Sequence, residues 1–215
     1  MSIREELISQ ADAAKKAARK LAKAGTNEKN KALKLIADKL LDRQAEILEI
    51  NEKDMQKGRD NDLSRALLDR LKLTEARVKG MAQGLREVAA QEDPIGEVPQ
   101  MWKRPNGLQI GKIRVPLGVI GIIYEARPNV TVDVAGLCLK SGNTVILRGG
   151  SNAFKSNQIL TNIIQDGLQE AGLPKEAVQL ISTTDRKAVD ILFTLNDYLD
   201  VLIPRGGAEL IQKVV

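Results

Sequence analysis

Apolar positions recur with helical spacing in the first part of the chain and crowd into short runs in the second. Ile3, Leu7, Ala11, Ala14, Ala18, Leu21 and Ala22 predict one helix over residues 3–24, because a one-sided helix repeats its apolar contacts every three to four residues. Gly25 is expected to close it and Thr26 to cap the next. A second helix begins near Asn27 and carries Leu33, Ile36, Leu40, Ile47 and Leu48, with a break near Asp42–Gln44 and an end at Gly58. Leu63, Leu67, Leu68 and Leu71 mark a short amphipathic helix. Thr74 starts another, which runs through Met81, Leu85, Val88 and Ala89 and stops before Asp93 and Pro94. Leu73 and Val78 flank that start as a hydrophobic staple.

The pattern changes at Pro94. Residues 96–103 and 108–115 read as two strands around Pro105-Asn106-Gly107, an Asn-Gly hairpin signal. Ile110 and Ile113 break strict alternation, so a bulge is expected near Gly111. Val119–Tyr124 is a β-branched run, followed by a turn at Glu125–Asn129, a helix using Val130, Val134 and Leu137, and a second run at Thr144–Leu147. Strand, helix, strand is a βαβ unit, which places ligands at the carboxyl ends of its strands, here Glu125–Asn129 and Arg148–Ser151. A helix over 152–171, a strand over 177–181, a helix over 186–194, a strand over 199–203 and a helix from Ala208 follow. Strands alternating with helices predict an α/β fold with a doubly wound, parallel, Rossmann-like sheet. Three regions result: a helical layer over 1–93, a β-hairpin arm over 94–115, and a Rossmann-like region over 116–215 whose sheet is expected to be incomplete.

Composition narrows the function. The 215 residues are 43% hydrophobic and 28% charged, enough apolar surface for a core. A net charge of +5 and only 2% aromatics argue against a nucleic-acid platform. Histidine is absent and there is one cysteine; no Ser-His-Asp or Cys-His centre can be built from this chain, and no internal disulfide. No signal peptide and no run of membrane-spanning length is seen, which predicts a cytoplasmic protein without membrane contact.

The candidate chemistry lies after Pro94. The helical layer carries interleaved charges and nothing that looks catalytic. Its basic cluster Lys15, Lys16, Arg19, Lys20 and Lys23 is expected to be a solvated face. Gly149 to Ser156 approaches the phosphate-loop pattern, but Phe154 replaces the second glycine. Gly118–Gly121 enters a strand instead of leaving one, unlike a dinucleotide fingerprint. Cys138 sits on the apolar helix and reads as a core residue. Arg127 follows a strand directly and suits a phosphate or carboxylate; a salt bridge to Glu125 or Asp133 is the structural alternative. Arg127, Arg148 and Arg205 all stand at strand ends, which suggests a ligand with several negative charges.

Four phrases carry a family resemblance: Pro116-Leu117-Gly118-Val119-Ile120-Gly121, Tyr124-Glu125-Ala126-Arg127-Pro128-Asn129, Lys140-Ser141-Gly142-Asn143 and Leu147-Arg148-Gly149-Gly150. Together with Ile203-Pro204-Arg205-Gly206-Gly207 they resemble the gamma-glutamyl phosphate reductases, a branch of the aldehyde dehydrogenase superfamily, along the whole chain. The resemblance implies an aldehyde-dehydrogenase-like fold. It implies NADPH-dependent reduction of L-glutamyl 5-phosphate to glutamate 5-semialdehyde and phosphate, the second step of proline biosynthesis from glutamate. A cysteine thiolate of the family attacks the acyl phosphate; it does not match Cys138 and is expected beyond Val215, so that this chain looks like an N-terminal half, inactive alone. Arg148, Gly149, Gly150, Ser151, Arg205, Gly206 and Gly207 become the cofactor residues, with Arg148 favouring a 2′-phosphate. Arg127 and Asn129 become the substrate residues, and which of them meets the reacting carbonyl stays open. The resemblance also implies a homo-oligomer joined through the hairpin arm and brings in glutamate 5-kinase as a partner. The alternative from another class is a non-catalytic module that binds a nucleotide or nucleic acid through the basic helices and the Gly149–Ser156 loop.

Overall fold

The computed structural model describes residues 2–206 and Ile211. Gly207 and most of the helix expected from Ala208 lie outside the described residues. Five helices come first: α1 (Ile3–Leu21), α2 (Thr26–Asp42), α3 (Gln44–Asp60), α4 (Arg65–Leu71) and α5 (Glu75–Ala90). The hairpin strands β1 (Gln100–Lys103) and β2 (Gln109–Lys112) follow. The remainder alternates: β3 (Val119–Tyr124), α6 (Pro128–Lys140), β4 (Thr144–Arg148), α7 (Phe154–Ala171), β5 (Val178–Leu180), α8 (Lys187–Leu192) and β6 (Val201–Arg205).

The sheet is parallel throughout and ordered β5-β4-β3-β6. β3 is central and buried on both faces, the condition under which a strand can be apolar at every position. Its residues divide by the two-residue period of a strand. Ile120, Ile122 and Tyr124 join the core formed with α2, α5, α6 and α7, whereas Val119 and Ile123 join a second core against α1 and α8. The N-terminal helices therefore do not lie together: α1 covers one face of the sheet, α2 and α5 the other.

Several local expectations are corrected. Gly25 does not close α1; it is the N-cap of α2, with an ordinary φ of −74°, and its N–H donates to the Glu28 carboxylate at 2.8 Å. Thr26 is drawn away from capping because its hydroxyl donates to Asp93 at 2.7 Å. Gly58 does not end α3 but lies inside it. A Cβ there would sit 3.0 Å from a Leu63 methyl and 3.1 Å from one of Leu68, so the missing side chain admits α4. No bulge forms at Gly111. Met101 faces Gly111 and Trp102 faces Ile110 in unbroken antiparallel register, and bonds from Gly96 N–H to Arg114 O and from Arg114 N–H to Glu97 O, both 3.0 Å, continue the pairing. On α6 the buried face runs through Val130, Val132, Ala135, Cys138 and Leu139, and Leu137 is 55% exposed. β6 falls two residues later than expected, so Arg205 is its last residue; among the described residues β6 pairs with β3 alone, with Pro204 opposite Ile123.

Other expectations hold. The break between α2 and α3 falls at Arg43. Thr74 caps α5, accepting from Arg77 N–H at 3.2 Å, and both staple residues, Leu73 and Val78, are buried. One ion pair is deeply placed: Lys29 Nζ lies 2.6 Å from Asp93 Oδ2, joining α2 to the segment that leaves α5.

Candidate functional site

In this sheet the first strand, β3, neighbours the last, β6, while β4 and β5 extend the other way. The strand order reverses between β3 and β6, and open α/β sheets bind ligands in the crevice outside the carboxyl ends at such a point. Tyr124 and Arg205, the final residues of the two strands, are register partners. Beyond them opens a cavity of about 320 Å³, lined by Tyr124, Glu125 and Arg127 from one strand end, Arg205 and Gly206 from the other, and Arg70 from α4. A second cavity, of about 630 Å³, adjoins it, with Arg127, Asn129 and Asp133 on one wall and Asp69, Arg70, Lys72 and Arg77 on the facing α4–α5 turn. Arg70 and Arg127 line both.

Local chemistry sets these walls. Arg127 occupies the N-cap position of α6 with extended φ and ψ, as the residue before Pro128 must, and Pro128 is the first helical residue. Asn129 and Asp133, one turn apart, face the same opening and are joined by Asn129 Nδ2 donating to Asp133 at 3.2 Å. The Arg127 guanidinium has no hydrogen-bond or ion-pair partner among the described residues. Of its two possible partners, Glu125 instead faces Arg70 at 3.6 Å and Asp133 takes the Asn129 amide. Opposite, Arg77 locks the α4–α5 turn, donating to Lys72 O at 2.6 Å and to the Asp69 carboxylate at 3.1 Å.

The neighbouring strand end is built differently. Arg148 is only 8% exposed; its guanidinium donates to Gly149 O at 2.7 Å and Thr184 O at 3.1 Å, and its Nε has no partner. Burial, with nearby Arg186, pushes its pKa down. A Cβ on Gly149 would meet Asn157 Nδ2 at 2.1 Å, and one on Gly150 would meet Ala126 N at 2.8 Å, so both glycines admit chain packing. Ser156, the last residue of the phosphate-loop-like run, donates from its N–H and its hydroxyl to Asp54, each at 2.7 Å. The start of α7 thus already holds its anion, a carboxylate from α3.

The structure brings Arg127, Asn129, Arg205 and Gly206 around adjoining cavities. It puts Arg148, Gly149 and Gly150 at the next strand end in a packed loop, with Ser151 exposed beside them. Gly207 is outside the described residues. Sequence reasoning named Asp133 only as a possible salt-bridge partner of Arg127 and not as a residue of the cavity wall, although its i+4 spacing from Asn129 was a usable signal. It also missed Arg70, Lys72 and Arg77, which sit in what reads as a merely soluble charged helix surface. Cys138 is buried on α6 as expected, its thiol pushed up to about 12 by burial. The basic face of α1 is partly satisfied within the chain: Lys16 pairs with Asp12 at 2.6 Å, and Lys15 donates to the Asp197 carbonyl. Among the described residues no cluster of His, Cys, Asp and Glu could hold a metal, and no helix is long and apolar enough to cross a membrane.

The sequence profile of the aldehyde dehydrogenase family matches residues 2–214. The chain is 63% identical over 215 residues to the gamma-glutamyl phosphate reductase of Halothermothrix orenii and 61% identical to that of Moorella thermoacetica, covering all of itself and 51% of each relative. It spans about half the length of the curated relatives it matches. Among solved structures, Thermotoga maritima gamma-glutamyl phosphate reductase superposes with a TM-score of 0.95 at 46% identity, over 97% of this chain and 50% of that one. The Saccharomyces cerevisiae protein of the same name gives 0.87 at 31%, over 96% and 52%. A probable aldehyde dehydrogenase of Listeria monocytogenes shares the fold at 18% identity, with a TM-score of 0.77 over 99% of this chain and 44% of that one.

Proposed function

This chain belongs to the aldehyde dehydrogenase family, and we propose that it forms the cofactor-binding part of a gamma-glutamyl phosphate reductase, which reduces L-glutamyl 5-phosphate with NADPH to glutamate 5-semialdehyde and phosphate in proline biosynthesis. The observation that carries the reading is the opening at the β3–β6 reversal, where Arg70, Arg127 and Arg205 face one carboxylate, Glu125. A surplus of guanidinium at a strand-end crevice suits phosphorylated ligands. The high identity to relatives named for this reaction supports the same reading.

The donors fit a nicotinamide dinucleotide phosphate. Arg205 and Gly206, which line the strand-end cavity, would hold the dinucleotide. Arg148, although buried and bonded to Gly149 O and Thr184 O, with Arg186 beside it would give the β4 end a positive charge suited to a 2′-phosphate, and Gly149, Gly150 and Ser151 would shape that end. When bound, the cofactor supplies hydride. Arg127 and Asn129 hold the acyl phosphate beside it. A thiol nucleophile must come from outside these 215 residues, because the chain's one cysteine, Cys138, is in the core; the chain by itself is expected to be inactive. The hairpin, with Met101 65% exposed and Leu108 58% exposed, supports an arm that packs on a second copy. The setting is cytoplasmic, with glutamate 5-kinase as the source of the substrate.

The test runs the reaction backwards on the protein's full chain, following NADP⁺ reduction with glutamate 5-semialdehyde. Turnover that depends on inorganic phosphate and prefers NADP⁺ to NAD⁺ is expected. Turnover indifferent to phosphate, or binding of ATP in preference to NADPH, overturns the reading.

A further inference from the structure

Arg70 and Arg127 come from separate parts of the chain, the last turn of α4 and the N-cap of α6, and both line both cavities. They form the neck between the two. Arg127 has no partner among the described residues. Arg70 has one, Glu125, at 3.6 Å between side chains that are 45% and 48% exposed, too open a pair to neutralise either group. Arg205 faces the same opening. Three guanidinium groups against one carboxylate leave an excess of two positive charges at the neck. Beyond it the larger cavity carries charges of both signs, Lys72 and Arg77 with Asp69 and Asp133, and the Asn129 amide, a mixed lining that suits the zwitterionic head of an amino acid.

The placement of Arg70 is built, not incidental. Asn51, buried on α3, donates from Nδ2 to Leu71 O at 3.0 Å and accepts from Leu73 N–H at 2.7 Å. That clamp fixes the backbone immediately after Arg70. Asn51 also donates to Ser156 Oγ at 3.0 Å, which ties the clamp to the start of α7.

We propose that Arg70 and Arg127 together form the subsite for the phosphoryl group of the acyl phosphate; this rests on the reductase reading above. In the overall reduction the bond between the acyl carbon and the bridging phosphate oxygen breaks, and its electron pair stays on that oxygen. Hydride from NADPH enters at the carbon, NADP⁺ is formed, and one proton from solvent completes the released hydrogen phosphate. Negative charge on the departing group grows as that bond breaks, so fixed guanidinium groups at the neck stabilise the transition state more than the bound substrate. Glu125 leaves the Arg70 charge in place but puts a carboxylate 3.6 Å from it, which repels the incoming phosphoryl group.

The experiment is steady-state kinetics of the reverse reaction on the full chain, varying inorganic phosphate at saturating semialdehyde and NADP⁺. Arg70→Met is expected to raise the phosphate KM about tenfold, the loss of one charged hydrogen bond, while leaving the semialdehyde and NADP⁺ KM values within about twofold. Arg70→Lys recovers part of the loss. Glu125→Gln lowers the phosphate KM, a gain that a merely structural role for the Arg70–Glu125 pair does not produce. An unchanged phosphate KM in Arg70→Met, or a rise in all three KM values together, overturns the subsite while the reductase reading stands. Absence of phosphate-dependent turnover in the wild type overturns both.

Discussion

The loops that leave β3 and β4 look alike in sequence: each follows a β-branched strand, opens with a small or charged residue, carries an arginine and leads into a helix. In the structure they have opposite fates. The β3–α6 loop keeps Arg127 unpartnered and exposes Glu125 to a cavity. The β4–α7 loop is spent on the chain itself: Arg148 on two carbonyls, Gly150 on the backbone of Ala126, Ser156 on Asp54. The difference lies in what stands opposite. α3 brings a carboxylate to the start of α7, whereas the start of α6 meets the α4–α5 turn, whose arginines leave a gap. A strand-end loop keeps free donors only where the neighbouring layer has not already answered them.

Four changes would break or sharpen that contrast. The largest effect is expected from Asp54→Ala. It removes two hydrogen bonds to a buried carboxylate and strands the Ser156 N–H, a loss of about 3–5 kcal/mol. For a chain of this size that is a fall in Tm of roughly 10 °C, readable by calorimetry. Gly150→Ala comes next. Its Cβ would lie 2.8 Å from Ala126 N, so about 1–3 kcal/mol of strain is expected. The β3–α6 loop must also shift, and a phosphate KM that moves in this variant shows that the packed loop supports the open one. Arg127→Met should leave the stability unchanged within about 0.5 kcal/mol, as for a cavity-lining, half-buried side chain without partners, yet weaken phosphate roughly tenfold; a large Tm loss would mean the residue is structural. The smallest effect on the two loops comes from a control remote from both. Burial opposes ionisation of Asp93, yet Lys29, the Thr26 hydroxyl and the Ile95 N–H together hold its pKa below the ordinary value. The stability this lends is complete above that ordinary value and is lost as pH falls through the folded one. Asp93→Asn should therefore flatten the acid limb of a Tm–pH curve and leave both loops untouched.

The strands were legible because a strand buried on both faces favours an unbroken apolar run, as in Val119–Tyr124 and Val145–Leu147. The two switch-point arginines were legible from strand ends as well, Arg127 just past β3 and Arg205 at the end of β6. Three kinds of information were not local. The Asp54–Ser156 bond joins residues 102 apart, and without it the start of α7 reads as a free anion site. Gly58 reads as a helix end because the chain neighbours of a glycine do not reveal which methyl group rests against it. Arg70 carries no mark of its own: a charged residue on a short amphipathic helix looks solvated until α6 is placed opposite. Capping at Thr26 failed for the same reason, because Asp93 competes for the hydroxyl.

The pairing of β3 with β6 also bears on how the chain is made. Ile122 bonds with β4 through a single helical crossover, but its other neighbour, Ile203, arrives only after α7, β5 and α8. During synthesis the most apolar strand of the protein therefore waits with one edge open. Closing that long loop is the slow, entropically costly event. A nascent chain halted before Val201 would present β3 to any passing strand, so this is the interval in which a ribosome-bound chaperone has most to protect.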